Sequence, residues 1–175
     1  SADPSGGVFY PESFEKHFTF NDLTHQGALI GIRIEGPSIS VDERIKRLCK
    51  ELDLLLNEYS ILDVEQSNIF WNKTRNLEVF SNTKKNLVRI VVPISETLNL
   101  LQKLKNMDFS YFLDWGGSLI WFELNDISTK ILKEIREITK QHNGYFTLIK
   151  VEEDIKASAD IFTIDPIKYK ISEKI

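Results

Sequence analysis

The order of apolar periods between Leu87 and Val151 constrains this chain more than any other feature. Leu87 to Val92 alternates as a strand does and is stopped by Pro93, which has no N–H to continue a ladder. Leu98, Leu101 and Leu104 then recur at helical spacing behind Ser95, the expected cap of that helix. Phe109 to Asp114 and Ser118 to Leu124 read as two further strands. They are joined by Trp115-Gly116-Gly117, whose glycines permit the positive φ of a tight hairpin. Ile127 to Gln141 sets Ile127, Ile131, Ile135 and Ile138 in line as a second helix, closed by Asn143-Gly144. Tyr145 to Val151 is the last strand.

Strand-helix-strand-strand-helix-strand is the split β-α-β order. The expected fold class is therefore α+β, a ferredoxin-like antiparallel sheet with helices on one face. Upstream, Ala28 to Glu35 alternates as a strand and ends at Gly36-Pro37. Ser40 with Glu43 spells a capping box, followed by the stripe Ile45, Leu48, Leu52 and Leu55. Tyr59 to Leu62 reads as a short strand, and Val64 to Leu77 as a helix with Ile69, Phe70 and Leu77 inward and Trp71 beside them. The domain expectation is a lead-in segment at 1–26, a ferredoxin-like domain at 27–151 and a C-terminal extension at 152–175. The extension carries Ile161, Phe162, Ile164, Pro166 and Tyr169, too many apolar groups for a free tail. Its stop at Glu173-Lys174-Ile175, with no Gly or Pro terminator, reads as truncation.

Helices cover one face of such a sheet, and the other is solvated or used for binding. The alternation assigns Ile30, Ile32, Val88, Ile90, Val92, Ile120, Phe122, Phe146 and Leu148 to the helix side. The open side then receives Arg33, Arg89, Tyr111, Trp121, Glu123 and Tyr145 among others. Large aromatics mixed with arginine are the composition of a contact surface.

Several functions are excluded or disfavoured. A net charge of −4 opposes a nucleic-acid partner, whose phosphates need a basic surface. No apolar run approaches the length of a membrane span, so no transmembrane segment is expected. A single cysteine, Cys49 on a helical stripe, fits a reducing, cytoplasmic location and a buried-hydrophobe role. His17, His25 and His142 stand far apart, so no metal site is expected. No glycine run has the pattern of a phosphate cradle, and no nucleophile elbow or zinc-protease motif occurs.

Three stretches carry a resemblance: Phe70-Trp71 with Arg75, Val88-Arg89-Ile90-Val91-Val92-Pro93, and Leu113-Asp114-Trp115-Gly116-Gly117 with Trp121. With His142-Asn143-Gly144-Tyr145-Phe146-Thr147-Leu148 and the opening Ser5-Gly6-Gly7 with Pro11, they resemble the C-terminal half of the glycolate oxidase E subunit. The Asp-Trp-Gly-Gly turn is the most specific element. The resemblance implies the cap domain of an FAD-linked oxidase, whose missing N-terminal domain binds most of the FAD. It implies a small 2-hydroxy acid substrate, oxidised to a 2-oxo acid, and partner subunits of the flavin-containing D type and the iron–sulfur F type. The location implied is cytoplasmic, or peripheral at the inner membrane through the complex. The H-x-G-x-G-N-x-H kind of motif of the catalytic D subunit has no counterpart here, and the fragment is not expected to be active alone.

On that reading the residues facing cofactor or substrate are Arg89, Tyr111, Trp115 and Trp121, all on the open face or its rim, with no catalytic residue assigned. Arg89 would attract an anionic group through its bidentate fork, or else pair with Glu123 beside it. The alternative function is a non-catalytic ferredoxin-like module that binds a partner or a small ligand.

Overall fold

The computed structural model describes residues 2–17, 19–20, 23–24, 27–52, 59–80, 86–125, 127–151 and 155. Leu55 and the apolar residues of the extension, Ile161 to Tyr169, lie outside them. The chain divides into two compact units, Ser1–Thr83 and Lys84–Ile175.

In the first unit, β1 (Gly6–Tyr10) arises within the stretch that shows no clear period in the sequence. A 3-10 turn (Glu12–His17) and two short paired strands, β2 (Thr19–Phe20) and β3 (Leu23–Thr24), follow. β4 (Leu29–Arg33) then pairs antiparallel with β1, Val8 opposite Gly31 and Tyr10 opposite Leu29. Its phase reverses the expectation, for Ile30 is 64% exposed and Ile32 39%. The face under α2 (Val64–Arg75) carries Gly31 instead, so close to Phe70 that a Cβ would stand 2.8 Å from the ring. Alternation defines two faces without naming the covered one; a strand glycine that lets an aromatic ring meet the backbone does name it.

Beneath α2 the side chains of Val8, Tyr10, Phe14, Phe70 and Phe80 are buried. The Tyr10 hydroxyl donates to Thr74 Oγ1 at 2.9 Å, and the Thr74 hydroxyl donates to the Phe70 carbonyl at 3.1 Å. Asp63 opens α2 with a reciprocal capping box to Gln66. Residues 59–62, expected as a strand, form no regular structure and expose Tyr59 and Ile61. Ile69, expected inward, is exposed as well. α1 (Ser38–Leu52) starts two residues before the expected cap Ser40, with the Pro37 carbonyl accepting from Val41 N–H. Its stripe of Ile45, Leu48, Cys49 and Leu52 is only half-buried. Arg44, on the same helix, donates to the carbonyls of Ala2 (2.7 Å), Glu35 (2.8 Å) and Asp3.

The second unit runs β5 (Asn86–Val91), α3 (Thr97–Leu104), β6 (Phe109–Asp114), β7 (Leu119–Leu124), α4 (Thr129–Gln141) and β8 (Tyr145–Lys150). Its strands lie in the order β6-β7-β5-β8, every neighbouring pair antiparallel, so the chain is α+β. Val88, Ile90, Ile120, Phe122, Leu124, Phe146 and Leu148 form one buried face, packed with Leu100, Leu101 and Leu104 of α3 and Leu132 and Ile135 of α4.

Ser95 does not cap α3, which begins at Thr97 after a 3-10 turn (Ile94–Glu96). The later start selects Thr97, Leu100, Leu101 and Leu104 as the buried side and leaves Leu98 exposed. α4 is capped by the Ser128 hydroxyl, which accepts from Ile131 N–H at 3.2 Å. It closes on Asn143 at φ +55°, with Gly144 N–H donating to the Thr139 carbonyl at 2.8 Å.

His142 Nδ1 lies 2.8 Å from Glu96 Oε2, joining the end of α4 to the start of α3. That bond, and a second from the Asn99 side chain, hold the Glu96 carboxyl below the usual carboxylate range. A carboxyl depressed in the folded state adds stability above its unfolded pKa and loses it as pH falls through the folded one. Urea titrations at successive acid pH values should therefore show the native chain losing stability more steeply than Glu96→Gln. Parallel pH profiles would remove this role for Glu96.

Candidate functional site

The site follows from strand register. Arg89 of β5 lies opposite Trp121 of β7 on one side and Thr147 of β8 on the other, and Trp121 lies opposite Phe112 of β6. Thr147, Arg89, Trp121 and Phe112 thus form one row across the face opposite α3 and α4, in which Phe112 is buried and the other three are half-buried. The neighbouring row is Tyr145, Val91, Leu119 and Asp114. Of the expected site residues, the structure brings together Arg89, Trp115 and Trp121. The guanidinium carbon of Arg89 is 5.1 Å from the centre of the Trp115 ring and 6.0 Å from that of Trp121.

Tyr111 is not with them. It lies opposite Phe122, its ring centre 6.2 Å away, on the helix-covered face. Burial there pushes its phenol up from the ordinary value. The reason is hairpin length. Residues 115–118 place Asp114 opposite Leu119, which gives the odd-numbered residues of β6 to the face of the even-numbered residues of β7. Both phases of β6 are apolar enough to be core, so its composition does not settle the question. Phe112 and Thr147 take the places beside the site that the sequence did not assign. A count of the turn residues was the signal that could have found Phe112.

Each aromatic contact with the guanidinium contributes about 0.5–1 kcal/mol at an exposed position and more when desolvated. A guanidinium held against aromatic rings can still offer N–H groups of its fork to an acceptor. Among the described residues no carboxylate pairs with Arg89; the expected rival contact with Glu123 is not made. Glu123 lies opposite Leu87 and Ser110, one step along the same face.

Trp115 itself is 57% exposed and sits at φ +51°, a left-handed conformation that costs a bulky residue about 1–3 kcal/mol. Asp114 Oδ1 accepts its backbone N–H at 2.7 Å. Burial pushes the Asp114 carboxyl up, and that hydrogen bond draws it partly back.

The chemistry available is recognition: a fixed cation flanked by two indoles, with Thr147 on its far side. A planar group with an anionic edge satisfies both the rings and the fork. Among the described residues no group of three or more His, Cys, Asp or Glu side chains could hold a metal ion. No helix among them is long and apolar enough to cross a membrane. The sequence matches no model of a known protein family, and no curated protein matches it.

Proposed function

We propose that the chain is the cap portion of an FAD-linked oxidoreductase that acts on a small 2-hydroxy acid. On this reading the second unit is a ferredoxin-like, split β-α-β sheet, supported by its strand order β6-β7-β5-β8. The exposed end of the face opposite α3 and α4, around Trp115 and Tyr145, meets the flavin ring and the substrate. The observation that carries the reading is Arg89, set between Trp115 and Trp121 without a carboxylate partner among the described residues.

The residues suit the ring side of FAD and not its diphosphate. Gly6 and Gly7 lie in a strand and Gly116 and Gly117 in a hairpin turn, so none of them opens the helix that a diphosphate cradle uses. On this reading the diphosphate is held by a preceding domain, as the resemblance to the glycolate oxidase E subunit implies. FAD, when bound, supplies the acceptor for the hydride. Arg89 orients a carboxylate or offsets negative charge at the ring edge, and Trp115 and Trp121 exclude water from it. The protein works in the cytoplasm beside flavin-containing and iron–sulfur subunits.

Arg89→Ala in the assembled oxidase should lower kcat/KM for 2-hydroxy acids about 10- to 100-fold, the value of a charge-assisted hydrogen bond. Lys50→Ala, on the exposed side of α1, should leave it unchanged. Equal activity of the two variants at equal flavin content would overturn the assignment. A full-length protein that carries no flavin, yet still binds a partner through this face, would favour the non-catalytic module.

A further inference from the structure

The turn between β6 and β7 keeps an aromatic residue where packing alone does not keep it. Trp115, Gly116 and Gly117 have φ of +51°, +64° and +105° in succession. Glycine adopts such angles freely, but tryptophan does so only where its surroundings fix the backbone. With more than half its surface exposed, the indole is not confined by a core.

Polar contacts to the backbone do the fixing. Asp114 Oδ1 accepts the Trp115 N–H at 2.7 Å, and the Ser118 hydroxyl donates to the Trp115 carbonyl at 3.0 Å. The Thr97 hydroxyl, at the start of α3, donates to the Gly117 carbonyl at 2.7 Å. Val92 N–H donates to the Ser118 carbonyl at 2.9 Å, and Ile94 lies 3.6 Å from where a Gly117 Cβ would stand. The turn is thus anchored to the end of β5 and to the first turn of α3. The indole that it carries ends over the Arg89 guanidinium.

The geometry points to Asp114 and Thr97 as positioning residues that hold the Trp115 backbone left-handed, so that its indole forms a preset wall over Arg89 for a planar anion. The ligand class rests on the reading of this face as a flavin or substrate contact; the positioning does not. A wall set before the ligand arrives spares the ordering of a large exposed side chain on binding. It also fixes the direction from which an anion reaches the guanidinium fork.

Collisional quenching of the full chain tests this without any ligand, using iodide as the anionic probe and caesium as the cationic one. The Trp115 signal is the difference between the native chain and Trp115→Phe. An indole held against a cation with no carboxylate partner among the described residues should show an iodide-to-caesium quenching ratio about twofold above that of free N-acetyltryptophanamide, because the cation enriches anions locally. Asp114→Asn removes the charge but keeps an oxygen to accept the Trp115 N–H, so the iodide preference should stay or rise. Asp114→Ala removes the acceptor as well, and the ratio should fall towards that of the free tryptophan amide as the indole leaves Arg89. Thr97→Val, which loses only the bond to Gly117, should lower it in part and keeps the test available should Asp114→Ala fail to fold.

An Ala variant as iodide-selective as the Asn variant would overturn the positioning role of Asp114, and an unchanged Thr97→Val would overturn that of Thr97. A loss of selectivity in Asp114→Ala but not Asp114→Asn supports the inference even where Arg89→Ala leaves turnover untouched, an outcome that removes the flavin reading alone.

Discussion

Phe122→Ala is expected to destabilise the second unit by about 3–5 kcal/mol, the range for deleting a buried aromatic side chain. Phe122 is 2% exposed and lies at the middle of β7, between β5 and β6. Its ring meets that of Phe109 edge-on at 4.9 Å and that of Tyr111 at 6.2 Å. Neither neighbour can collapse into the space, because both are fixed to the adjacent strand, so a cavity term adds to the lost burial. Leu98→Ala is the control: the same helix–sheet unit, an apolar residue, but an exposed one. Urea unfolding followed by far-ultraviolet circular dichroism should show a large fall in midpoint for Phe122→Ala and little change for Leu98→Ala. A loss below about 1 kcal/mol at Phe122 would mean that this face is not a packed core.

In the first unit the largest effect should come from adding atoms. Gly31→Val places a branched side chain where a single Cβ already stands 2.8 Å from the Phe70 ring and 2.9 Å from a Val8 methyl. Overpacking of this kind costs about 1–3 kcal/mol and sometimes more. Both neighbours are held, Val8 by its strand and Phe70 by the packing of α2, so the value should lie at the upper end. The neighbouring Ile30→Val, on the exposed face, should be close to neutral. Coupling gives the sharper check. Phe70→Ala in the Gly31→Val background should cost less than Phe70→Ala alone, because the smaller side chain relieves the clash. Strictly additive effects would show that the two residues do not meet.

The second unit was readable in the sequence because each of its elements has a period of its own and a punctuating residue. Pro93, the Gly116-Gly117 turn and Asn143-Gly144 fix where strands and helices stop, and the observed strands fall within a residue of those limits. Phase was less readable. β4 alternates as clearly as β5, yet its isoleucines face away from α2, because the covered side is marked by the missing side chain of Gly31. β6 offers Phe109, Tyr111 and Leu113 on one side and Phe112 on the other, so only the length of the turn assigns Tyr111 to the core. β1 escaped notice because Gly6 and Gly7 give its first half no side chains with which to show a period. At the site, Arg89 and Trp121 were legible as members of one strand phase. The approach of Trp115 was not, since it depends on a left-handed backbone and on Thr97, a residue of a different element.

The strand order has a consequence for how the second unit assembles. β5 is made first and lies in the interior of the sheet, flanked by β7 and β8. β6 and β7 can form their hairpin from local contacts as soon as both exist, and hairpins close within microseconds. β5 gains its second neighbour only when β8 returns past α3, both hairpin strands and α4. Until then one edge of an apolar strand remains open, and edges of that kind invite pairing with another chain. Synthesis of the last strand is therefore also the step that ends the period of greatest exposure to aggregation.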